Sequence, residues 1–159
     1  MARFGRRVRR TRHGDFEVRL PDNEREVLLA LVAALRAALD GDVRGEPALR
    51  RLFPPAYASA DDQAAEAEYQ AIMQEDLLAS RRASLDVLEA TLSRDRLDEA
   101  ELLAWMTALN QLRLVLGTRL DVSEDEAPFP DPDDPAAPLH EIYHYLGVLL
   151  EAVLEALDG

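Results

Sequence analysis

Residues 109–120 read LNQLRLVLGTRL, and the fold turns on how this stretch is read. Leu109, Leu112 and Leu116 recur at helical spacing, and Leu102 and Trp105 extend the same stripe upstream. Gly117 can turn left-handed and is expected to end the helix. Asn110, Arg113 and Arg119 stand among the apolar residues, so polar groups border the core. The pattern predicts a central helix against which other helices bury their apolar faces.

Working outward, Asp98 with Glu101 predicts a capping box at the start of this helix. Upstream, Asp61 and Asp62 are expected to open a long helix through Tyr69, Ile72 and Met73. Leu77, Leu78, Leu85, Leu88 and Leu92 continue its periodicity, with a kink expected near Gln74. Arg81 and Arg82 are expected to pair with nearby acidic residues. Further upstream, Asn23 with Glu26 predicts another capping box. The helix that follows places Val27, Leu28, Leu31, Val32, Leu35 and Leu39 on one face and stops at Gly41. Residues 47–52 read as a short helical turn closed by Phe53-Pro54-Pro55, with Leu49, Leu52, Phe53 and Tyr57 tucked against the core. Downstream, residues 122–138 are acidic and proline-rich and read as an extended linker. Leu139, Ile142, Tyr143, Leu146, Leu149, Leu150, Val153, Leu154 and Leu157 define a last amphipathic helix over 139–158.

At the start, two short segments containing Phe and Val flank Arg12-His13-Gly14-Asp15, which predicts a β-hairpin over residues 1–20. The expected fold is therefore mostly α: a single-domain helical bundle of five or six helices, main helices over 22–121, with a short N-terminal β-hairpin.

Composition narrows the chemistry. The 159 residues include no cysteine, which excludes disulfides, thiol nucleophiles and thiolate metal sites. All 18 basic residues are arginine, so a Walker lysine and a lysine Schiff base are excluded as well. No apolar run is long enough to span a membrane, and MARFGRRVRR lacks the apolar segment of a secretory signal. A cytoplasmic location is expected. The net charge of −13 is uneven, because seven arginines fall in the first 20 residues. Arg6, Arg7, Arg9 and Arg10 make a basic lip on an acidic body. Any nucleic-acid contact is expected there alone; a solvated strand edge that resists aggregation is the plainer expectation.

One motif carries possible chemistry. His140-Glu141-Ile142-Tyr143-His144 is H-E-x-x-H, whose two histidines share a helix face and can hold zinc while the glutamate activates water. A catalytic zinc needs a third protein ligand, and Leu150 stands where the metzincin pattern has histidine. His140 and His144 thus remain a metal alternative, while the expected cofactor is none. No Gly-rich phosphate loop and no G-x-S-x-G elbow occur.

Several blocks together resemble the domain-of-unknown-function family numbered twenty-seventeen, found in actinobacteria and often encoded beside the Clp adaptor ClpS. The matching pieces are residues 52–57 (LFPPAY), Asp61-Asp62 with Glu66 and Glu68-Tyr69, Asp76-Leu77 with Arg81, and Ala104-Trp105 through residue 120. The resemblance implies a mostly helical, cytoplasmic, non-catalytic protein; some relatives are linked to transcriptional or redox regulation. It also implies a last helix of aromatic and apolar residues without a metal motif. A cysteine switch cannot operate in this chain, which has no cysteine.

The expected function is regulatory or adaptor-like, through contact with a protein partner. Asn110, Arg113 and Arg119 are the candidate site within the signature block, since a guanidinium can grip a carboxylate in two parallel bonds; ties to Asp61, Asp62 or Glu66 are the structural alternative. A transcription-associated factor using the Arg-rich hairpin, and a zinc-dependent hydrolase using HEIYH, are the alternatives. A homodimer is expected from the hairpin edges and the apolar last helix.

Overall fold

The computed structural model describes residues 7–41, 47–49, 52, 63–120 and 133–159, without the side chains of 63–67 and 70. The chain is mostly helical. Strands β1 (Val8–Arg10) and β2 (Phe16–Val18) lead into helix α1 (Asp22–Asp40). A 3-10 turn (Pro47–Leu49) follows, then α2 (Gln63–Thr91), β3 (Arg96–Leu97), α3 (Glu99–Arg119) and α4 (Ala137–Asp158).

The described residues therefore hold four α-helices rather than the five or six expected. One reason is that α2 runs unbroken through 29 residues, with no second helix after Gln74. The 3-10 turn at Pro47–Leu49 falls within the stretch 47–52 read as a helical turn, of which residues 50 and 51 lie outside the described residues. Phe53 and Tyr57, with Asp61 and Asp62, lie outside the described residues, as do Arg6 and residues 122–132 of the expected linker.

The hairpin is present, and it gains a partner. Val8 pairs with Val18 and Arg10 with Phe16, while Phe16 also pairs with Leu97 and Glu17 with Arg96. The result is an antiparallel sheet ordered β1-β2-β3. A lone two-stranded ribbon is marginal in water; a third strand and a buried face stabilise this one. Val8, Phe16, Val18 and Leu97 all turn into the core. Gly14 makes the hairpin corner at φ 88°, a left-handed conformation that suits glycine.

α3 is the spine. It packs against α2, α4, the 3-10 turn and α1. Leu102, Trp105, Ala108 and Leu109 are fully buried along it. The Trp105 indole Nε1 donates to the Thr91 hydroxyl at 2.7 Å, so the one polar atom of the buried ring is satisfied. The Asp98–Glu101 capping box forms as expected. Gly117 does not end the helix: it is buried within α3, which continues to Arg119 and is capped at Leu120. Val115, Leu116 and Thr118 around it are buried, so the last turn lies against the core rather than fraying past the glycine.

Two other boundaries differ from expectation. α1 begins one residue after Pro21, which takes the cap position, so no Asn23–Glu26 box forms. Proline has no side-chain acceptor to offer, and its carbonyl accepts from the Glu24 and Arg25 N–H groups instead. α4 starts at Ala137 and includes Pro138 in its first turn, two residues before the expected start. No described helix is long and apolar enough to cross a membrane.

Candidate functional site

Three regions carry the residues the sequence singles out: the hairpin, the α3–α4 contact and the exposed face of α2.

Arg7, Arg9, Arg10 and Arg19 are committed to their own chain. Arg7 grips Glu24 of α1, with 2.8 Å between Nη2 and the carboxylate, and both side chains are mostly covered. That bond raises the Arg7 pKa above its ordinary value, against the opposing effect of burial. Tyr145 of α4 borders the same pair, and burial, followed by the nearby Glu24 carboxylate, pushes its hydroxyl well above the usual phenol range. Arg9 bonds Glu17 at 3.0 Å, and Arg19 bonds the same carboxylate. Those two bonds, Arg9 first, hold Glu17 below its ordinary value. Arg10 donates to the Leu157 carbonyl at 3.0 Å and lies 4.8 Å from the centre of the Phe16 ring. Asp15 is likewise held low, first by the Thr11 hydroxyl and then by Arg96. The basic lip thus serves largely as a clasp that fastens the sheet to α1 and α4.

Arg25 is a clamp that the sequence did not single out. From α1 it donates to the carbonyls of Leu20 and Leu92 and reaches Asp95. It closes the turn after α2 onto the connection after β2. Nothing in its local sequence distinguishes it from any other helical arginine.

Asn110, Arg113 and Arg119 do not converge. Asn110 and Arg119 are exposed, while Arg113 is half-buried. Arg119 lies six residues beyond Arg113, about 9 Å along the axis and rotated by about 240°. The Arg113 guanidinium lies 5.1 Å from the centre of the Tyr143 ring. Its Nε would sit 3.4 Å from a Cβ added at Gly147. The glycine therefore gives the arginine its bed on α4. Among the described residues Arg113 has an aromatic partner and no carboxylate.

The H-E-x-x-H residues fall on the first turns of α4. Tyr143 between them is buried, His140 is half-buried, and Glu141 and His144 are exposed. Among the described residues no three His, Asp or Glu side chains are grouped to hold a metal ion. The donor set is that of two ligands on a surface helix, one short of a catalytic zinc site.

The exposed face of α2 departs most from expectation. Tyr69, Ile72 and Met73, read as the start of the long helix's apolar periodicity, are 59, 54 and 48% exposed. Among its described side chains, α2 buries none fully before Leu85. At about 100° per residue, Tyr69, Ile72 and Met73 point about 140° away from Leu85 and Leu88. This change of phase is the signal that could have separated the two halves. Arg81 marks the junction: its Nε is buried with no hydrogen-bond partner among the described residues, and burial lowers its pKa. Arg82 beside it does pair, with Asp40 of α1.

A family described as "Domain of unknown function (DUF2017)" matches residues 5–157. A Mycobacterium leprae protein named "Putative oxidative stress regulator AosR" is 32% identical over 130 residues, covering 70% of this chain and 58% of its own length. Proteins named "Oxidative stress regulator AosR" from Mycobacterium bovis and Mycobacterium tuberculosis H37Rv are 27% identical over 130 residues, covering 72% of this chain and 60% of their own. The chain thus spans less than two thirds of the length of these relatives. No solved structure matches it.

Proposed function

The chain belongs to the DUF2017 family, and from that premise we propose that it is a non-catalytic, cytoplasmic regulator of the oxidative stress response that works by contact with another protein. The observation that carries this reading is the first half of α2, where Tyr69, Ile72 and Met73 stand in solvent with no core to serve. Large apolar side chains clustered on an exposed helix face are a common mark of a protein contact. The names of the mycobacterial relatives support the regulatory part of the reading. A redox-sensing role for the chain itself has no thiol to work with, so the signal reaches it through its partner.

The test is complementation of a strain that lacks the gene, scored by survival in peroxide. The unaltered chain is expected to restore survival. The double variant Ile72→Ser/Met73→Ser is expected to fail while keeping its helical circular dichroism and melting temperature. Full rescue by that variant sinks the contact reading at this face. The hairpin arginines favour nucleic acid less, because Arg7, Arg9 and Arg10 already engage Glu24, Glu17 and Leu157. A variant with Arg9 and Arg10 changed to Gln is therefore expected to complement.

A further inference from the structure

Resting on that reading, the surroundings of the exposed row say what kind of partner it takes. On the helical wheel, Glu68 and Glu75 line one side of the Tyr69–Ile72–Met73 row, and Asp76 continues its line one turn on. All three acidic residues are exposed. Residues 63–80 contain no basic residue at all. The patch is an apolar strip with an acidic border, on a helical segment about 27 Å long.

We propose that this strip docks a cationic amphipathic helix of a partner protein, with apolar residues on one face and Lys or Arg along its edges. The apolar row would seat the partner's i, i+3 and i+4 side chains, and the carboxylates would pair with its flanking cations. A second copy of this chain is the poorer occupant. An antiparallel pair centred on Ile72 and Met73 brings Glu75 of one copy beside Glu68 of the other on both edges of the contact, with no basic residue between 63 and 80 to offset them. Each copy also carries a net charge of −13. Like charges face to face oppose association.

Two synthetic helical peptides of about 20 residues test this, both with Leu at heptad positions a and d. One carries Lys at e and g, the other Glu, and each is titrated against the full chain by fluorescence anisotropy. The Lys peptide is expected to bind about tenfold or more tightly than the Glu peptide, and to weaken as salt is raised. Neutralising the border with Glu68→Gln/Glu75→Gln/Asp76→Asn is expected to weaken the Lys peptide by about tenfold. So is Ile72→Ser/Met73→Ser. Neutralising exposed carboxylates elsewhere, with Glu151→Gln/Glu155→Gln/Asp158→Asn on α4, is expected to change it by no more than about twofold. Equal loss in the α4 control means general attraction to an acidic protein and overturns the proposal, as does equal binding of the two peptides. A sedimentation mass of two chains that falls to one in Ile72→Ser/Met73→Ser assigns the strip to a second copy and overturns it too. If that variant fails in complementation while the peptides do not discriminate, the contact reading stands and the cationic partner falls.

Discussion

The two halves of α2 have similar helical propensity and opposite fates. The half that ends at Thr91 buries Leu85 and Leu88 and supplies the hydroxyl that receives the Trp105 indole. It is also tied to α1, where Arg36 pairs with Asp86 at 2.6 Å and with Glu89 at 3.2 Å. The half that begins at Gln63 leaves Tyr69, Ile72 and Met73 in solvent and borders them with acids. Apolar content does not separate them; the angle at which the apolar residues leave the axis does. A stripe in phase with α3 becomes core, and one about 140° out of phase becomes surface.

The sharpest way to break this contrast is to truncate one leucine or isoleucine on each side. Leu88→Ala is expected to cost about 2–5 kcal/mol, because it opens a cavity in a close-packed interior. Ile72→Ala is expected to stay within about 0.5 kcal/mol, as surface changes do. Chemical denaturation of both variants measures the difference directly. Equal losses would mean that the exposed row packs in solution and that the two halves are one core.

The next effect in size lies at the inner end. Thr91→Val keeps the shape of the side chain but removes the acceptor of the Trp105 bond. Leaving a buried indole N–H without a partner is expected to cost about 1–3 kcal/mol. A red-edge change in Trp fluorescence with no loss of stability would mean the ring turns to find another acceptor. The smallest effect is expected where the halves meet. Arg81 buries its Nε without a partner among the described residues, so Arg81→Met, which keeps the apolar stem, is expected to be neutral or to stabilise by up to about 1 kcal/mol. A clear loss would show that the guanidinium holds the outer half in place.

Much of the architecture was legible beforehand, and for a local reason. The Trp105 stripe, the Asp98–Glu101 box, the end of α1 at Gly41 and the hairpin at Gly14 are each specified by residues within a few turns of one another. The third strand was not legible. Arg96 and Leu97 are too few to show an alternation, and they become a strand only because β2 offers them an open edge. Gly117 misled for the related reason that a glycine permits a helix to end without requiring it. The candidate site was legible only in pieces. Arg7, Arg9 and Arg10 read as a solvated edge or a nucleic-acid lip and Arg113 as a grip for a carboxylate, because the groups they contact lie up to 147 residues away. The docking row was visible as three apolar residues and invisible as a surface.

Sequence alone settled the chemistry this chain cannot perform with thiols or lysines, its uneven charge, and the helical period of its apolar residues, because each depends on residue identity or near neighbours. Tertiary structure decided which of those periods point inward, where the arginines find their carboxylates and carbonyls, and which histidines lack a companion among the described residues. Those outcomes depend on the angles between helices far apart in the chain, and an angle between two elements is a property of neither one.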